Sequence, residues 1–206
     1  MCWRPHPLLL TFALGVAVSF QMEAVAFRYK TPEKTDSTLA RAKTLLAHED
    51  VEEAAREFRK LIKSEPQNFE GYLGIADCSY LQNDYLKARE SADKALKLNP
   101  KSAETFRRRG KINEKLNQLV PAIEDYTHAI ALSPNNHLYL SDRAEVYSKK
   151  GEYSKAIADL DKYLKLVKSP NPRTFYARSA LYAKLGKKAQ ADAERKRGDM
   201  IIDRNY

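Results

Sequence analysis

Residues 122–147 read AIEDYTHAIALSPNNHLYLSDRAEVY, an apolar helix face that stops at Pro134-Asn135-Asn136 and is followed by a second one. Ala122 stands 34 residues from Ala88 and from Ala156, Ala54 extends the series, and Pro134, Pro100 and Pro66 keep the same interval. Such a period marks stacked helical hairpins, because each copy is one unit that buries its apolar face only against its neighbours. With only 7 Gly and 9 Pro and abundant Ala, Leu, Lys, Glu and Arg, the composition favours helix over strand.

Working outward from that stretch, units begin at Thr35, Phe69, Ala103 and His137, and a fifth begins at Pro172 after one residue is inserted in the loop Ser169-Pro170-Asn171-Pro172. The eighth column is small (Ala42, Ala76, Gly110, Ala144, Ser179), and the twentieth is Ala54, Ala88, Ala122, Ala156 and Ala191. Small residues at both places let two antiparallel helices approach closely. Large residues fill the fourth column (Tyr72, Phe106, Leu140, Phe175) and the twenty-fourth (Phe58, Tyr126, Leu160). Asn83-Asp84 and Gly151-Glu152 are stop and start signals at the turn between the two helices.

Tyr72-x-x-Ile75-Ala76, Arg109-Gly110, Arg143-Ala144-x-x-Tyr147 and Ala122-Ile123-x-x-Tyr126-x-x-Ala129 resemble the tetratricopeptide repeat family from residue 35 to about 200. The resemblance implies an all-α, right-handed superhelical solenoid of about five helix-turn-helix repeats (35–68, 69–102, 103–136, 137–171 and 172–206), after a linker at 27–34. It also implies a concave groove lined by the first helix of each unit. The groove residues it points to are Leu73, Asp77 and Tyr80, then Arg107, Arg108 and Lys111, then Ser141, Glu145 and Tyr176. The family's carboxylate-gripping clamp is incomplete: Arg108 is present, but Leu39 and Lys43, or Leu73 and Asp77, stand where its Lys and Asn would be. The expected function is a non-catalytic scaffold holding a protein or peptide partner, as a monomer or with weak self-association.

One correlation comes from the columns alone. Position seven is Arg41, Arg109, Arg143 and Arg178, and position twenty-three is acidic in the same four units (Glu57, Asp125, Asp159, Glu194); where Ile75 replaces the Arg, Ser91 replaces the acid. A fixed offset of 16 predicts a partly buried pair between the two helices of one unit, which sets register more than it adds stability. In the fifth unit, Arg195 and Gly198 stand where packed residues would be expected, giving the polar outer face of a terminal cap.

The chain opens with Arg4, an uncharged run Leu8–Phe20 and Ala24-x-Ala26, the pattern of a signal peptide cleaved after Ala26. The expectation is an extracytoplasmic (secreted or periplasmic) protein. The alternative is that residues 1–26 stay as a membrane anchor, giving a membrane-anchored envelope assembly factor whose basic surface faces anionic lipid or polymer. Removing 1–26 takes away Arg4 and Glu23 and leaves the net charge at +9, with Cys78 alone, so no disulfide framework follows. His48, His128 and His137 lack partners at metal-ligand or triad spacing, and the glycines form no phosphate-cradling loop. No catalytic residue, cofactor or metal is expected. Basic clusters at Arg107–Lys115 and Lys184–Arg197 are interrupted by Glu104, Glu114, Asp192 and Glu194, so nucleic acid is not expected either.

Overall fold

The computed structural model describes the backbone of residues 32–203 and the side chains of residues 37–203, and among these there are ten α-helices and no strand. The first three units hold α1 (Pro32–Ala47), α2 (Val51–Ser64), α3 (Phe69–Leu81), α4 (Tyr85–Leu98), α5 (Ala103–Lys115) and α6 (Leu119–Leu132). The last two hold α7 (His137–Lys149), α8 (Tyr153–Leu166), α9 (Pro172–Lys184) and α10 (Lys188–Asp203). The export and anchor readings concern residues 1–26, which lie outside the described residues. Among the described residues no helix is long and apolar enough to cross a membrane. α1 begins at Pro32, ahead of the repeat start at Thr35.

Local chemistry starts the first helix at the same column in units two to five. The first helices are capped by the residue just before them: Asn68 accepts from the Glu70 amide, Ser102 from Thr105, Asn136 from Leu138 and Asn171 from Arg173. Between the two helices of every unit, position fifteen takes a left-handed backbone, as Glu49, Asn83, Asn117, Gly151 and Gly186. Asn and Gly tolerate that conformation, whereas Glu49 holds it at a cost.

Successive helices pack as antiparallel neighbours, and α3 also touches α1 and α5, so the first helices of units one to three form a continuous wall. The small columns are the closest points of approach: Ala42, Ala54, Ala76, Ala88, Ala122 and Ala156 are fully buried, and the Ser179 hydroxyl donates to the Ala191 carbonyl at 2.7 Å. Phe58 and Tyr126 fill the core beside them, 1% and 0% exposed. Cys78 is buried, which pushes its thiol up to about 11 and leaves it an inert packing residue.

The expected pairs form in all four units. Arg109 Nη2 meets Asp125 at 2.6 Å, Arg143 Nε meets Asp159 at 2.7 Å and Arg178 Nη1 meets Glu194 at 2.8 Å, while the exposed Arg41 reaches Glu57 only at 3.9 Å. Three of these arginines, in units three to five, also reach back to position twenty-five of the preceding unit: Arg109 to Asp93 at 2.7 Å, Arg143 to the Thr127 hydroxyl at 2.9 Å, Arg178 to Asp161 at 2.7 Å. Each guanidinium therefore ties three helices, fixing the order of units as well as the register within one.

Candidate functional groove

The wall made by α1, α3 and α5 encloses a groove of about 630 Å³. Leu46, Phe58, Phe69, Leu73 and Leu81 give it an apolar floor; Asp77, Arg108 and Lys111 supply charge, and Tyr80 lines it as well. Phe58 belongs to α2 and, though buried, comes up close beneath the groove because Gly74 has no side chain: a Cβ there would lie 2.2 Å from the Phe58 ring. Leu81 is 49% exposed, an apolar side chain left facing solvent at the groove.

Charge across the groove is paired between units. Lys43 meets Glu70 at 2.8 Å, and Arg108 spans Glu104 at 2.7 Å and Asp77 at 3.3 Å. Lys111 lines the groove with no ion pair or hydrogen bond among the described residues. Burial raises the Asp77 carboxyl to about 6, with Glu104 adding to the effect and Arg108 and Lys111 opposing it. Burial likewise raises the Tyr80 phenol, whose ring meets Tyr85 edge-on at 5.6 Å.

Asp77 gives a pH signature that checks this geometry. Its folded pKa lies above the ordinary carboxylate value of about 3.9, so between pH 4 and 6 the folded state binds more protons than the unfolded one. Its contribution to stability therefore falls as pH rises through that window, by about 2–3 kcal/mol in all. Urea melts of wild type and Asp77→Asn at pH 4.5 and 7 should differ accordingly, the variant gaining on wild type at the higher pH. A constant difference would place Asp77 in water.

The structure brings together five of the nine residues picked from sequence: Leu73, Asp77, Tyr80, Arg108 and Lys111. Arg107 is committed elsewhere, with Nε 2.5 Å from Asp142 and the guanidinium 5.9 Å from the Tyr139 ring centre, tying unit three to unit four. Ser141 donates to the Leu138 carbonyl at 2.9 Å, and Glu145 pairs with Lys149 at 2.7 Å, beyond this groove. Tyr176 packs on Gly198 of the last helix and donates to Asp199 at 2.7 Å, lining a separate cavity of about 370 Å³ with Ala180 and Arg195. Sequence reasoning missed Phe58, Leu46 and Leu81. The signal for Phe58 was Gly74 itself, a glycine within a helix at a column where no turn needs one. Among the described residues no three His, Cys, Asp or Glu side chains gather as a metal site.

Known proteins place this architecture. The tetratricopeptide repeat sequence pattern matches residues 39–103 and 82–137, and a second pattern of that family matches 125–158. The chain is 27% identical to mouse (Mus musculus) Protein O-mannosyl-transferase TMTC1 over 168 residues, 80% of this chain and 18% of that protein. It is 24% identical to FK506-binding protein 59 of Drosophila melanogaster over 138 residues, 65% of this chain and 31% of that protein. The chain thus spans less than a third of the length of these curated relatives. Among solved structures, MamA superposes with a TM-score of 0.73 at 23% identity, covering 80% of this chain and 95% of that one. YrrB, described as a repeat protein with an unusual peptide-binding site, gives 0.69 at 18% identity, covering 80% and 84%. These superpositions show the shared helical-repeat fold. With the sequence pattern covering residues 39–158 and the hairpins stacked as described, the chain belongs to the tetratricopeptide repeat family.

Proposed function

We propose that the chain is a non-catalytic scaffold that holds an extended segment of a protein partner in the groove of units one to three. The observation that carries this reading is the groove itself, an apolar floor of Leu46, Phe58, Leu73 and Leu81 beneath a charged rim on which Lys111 is uncommitted. A peptide side chain buried on that floor supplies affinity, and the rim selects its charged neighbours. Most protein lost from water here is side chain on rigid helices, so little ordering cost opposes capture. The fold supports a protein-interaction role, and the structural neighbour YrrB is described as having a peptide-binding site.

The test uses peptides selected from a random library on the wild-type chain. Arg108→Glu combined with Lys111→Glu should weaken the selected peptides at least about tenfold, since both changes reverse charge at the rim, while helicity stays unchanged because both side chains lie at the surface of α5. Equal binding by the double variant would remove α5 from the site.

A further inference from the structure

Column nine alternates in charge through units one to four, as Lys43, Asp77, Lys111 and Glu145, and the first three line the groove. Three of the four are neutralised from within the chain. Lys43 meets Glu70 at 2.8 Å, Asp77 meets Arg108 at 3.3 Å, and Glu145 meets Lys149 at 2.7 Å. Lys111 is partly buried and makes no ion pair or hydrogen bond among the described residues. Lys115, one turn further along α5 and so on the same side of the helix, is exposed and equally uncommitted among the described residues.

The carboxylates that line the groove are all taken. Lys43 holds Glu70, and Arg108 holds both Asp77 and Glu104, the latter at 2.7 Å. A cationic occupant therefore finds no free acceptor and would have to displace Lys43 or Arg108 to gain one. An anionic occupant meets Lys111 directly. A segment lying on the apolar floor also strips water from the Lys111 ammonium, which costs free energy unless a carboxylate arrives with it. The same asymmetry rejects basic segments as it accepts acidic ones.

Resting on the scaffold reading above, we propose that the captured segment is acidic: a Glu or Asp side chain, close in sequence to the apolar residue on the floor, pairs with Lys111. One ammonium is a point contact, which suits a side chain whose own backbone is already held on the floor. Gripping a chain end needs donors that converge on both carboxylate oxygens, and Arg108, the fork that could supply them, is occupied.

The test selects peptides on the wild-type chain from a synthetic random library with amidated ends, so that no terminal carboxylate is offered. The selected peptides should share a Glu or Asp. Replacing that residue by Gln should weaken binding to wild type at least about fivefold and leave binding to Lys111→Gln within about twofold, since the contact is already lost there. Lys111→Glu should reverse the preference, binding a peptide with Lys at that place more tightly than its parent. Both variants change a side chain at the groove surface, and unchanged helicity checks that they fold. Selected peptides without a shared acid, a loss of equal size in wild type and Lys111→Gln, or no reversal in Lys111→Glu would overturn the proposal. Capture only from a matched library with free C-termini would overturn it too. In each of these cases slowed hydrogen exchange of α3 and α5 by the bound peptide would leave the scaffold reading standing. No selected peptide, or binding that leaves α3 and α5 unprotected, would strike both.

Discussion

Asp125→Ala is expected to lower the stability of the array by about 2–4 kcal/mol, read as a shift of the urea midpoint. The carboxylate is 2% exposed, accepts from both Nε and Nη2 of Arg109, and accepts again from Asn113. Its loss leaves a half-buried guanidinium with only Asp93, itself partly in water, and strands the Asn113 amide. Burial holds the Asp125 carboxyl above its ordinary range even with Arg109 against it, so the intact pair is weakly stabilising at best; the penalty arises from breaking it. Replacing both partners, as Arg109→Met with Asp125→Leu, should therefore cost less than Asp125→Ala alone. The corresponding change at Glu57 should shift the midpoint far less, because Arg41 is 69% exposed and 3.9 Å away. If Asp125→Ala melts with wild type, the pairs do not hold the register.

The second large effect is expected at Gly74. A Cβ at this helical position would come within 2.2–2.4 Å of three atoms of the Phe58 ring, a contact that only movement of the ring or of the helix relieves. Gly74→Ala should therefore destabilise by about 2–3 kcal/mol despite the roughly 1 kcal/mol by which alanine favours helix. Gly110→Ala makes a milder contact, 2.9 Å to Tyr126, and should come out within about 1 kcal/mol of wild type, propensity offsetting overpacking. Moving Phe58 also disturbs the groove floor, so Gly74→Ala should weaken peptide capture while Gly110→Ala should not. A Gly74→Ala protein as stable as wild type would mean that the ring does not lie under α3.

These two sites mark what could and could not be read from the chain. The close-packing alanines and the Arg–carboxylate pairs were legible because they recur at a fixed interval, so each unit checks the others. The second arm of the arginines in units three to five was written in the same columns and was overlooked: Asp93, Thr127 and Asp161 precede the units that carry the Arg, and Arg59 precedes the one that carries Ile75. Contacts between units were harder. Arg107 turns to Asp142, 35 residues on, through a choice of rotamer that column position does not dictate. Tyr176 is drawn onto Gly198, the glycine that read only as an atypical cap residue and that makes room for the ring. Phe58 comes up beneath the groove through an absence of side chain in the neighbouring unit, which a column-by-column reading passes over. The positive φ at Glu49 was hidden as well, since the residue type gives no sign of it and only the column does.

The proposed role stands on where a partner sits, and hydrogen exchange of the wild-type chain with and without a library-selected peptide measures that most directly. Slowed exchange is predicted along α3 and α5 around Asp77, Tyr80 and Lys111, and at the end of α1 around Leu46, with α8 and α10 unchanged. Protection centred on α4, α6 or α8, with the groove helices exchanging as in the free chain, would contradict the account.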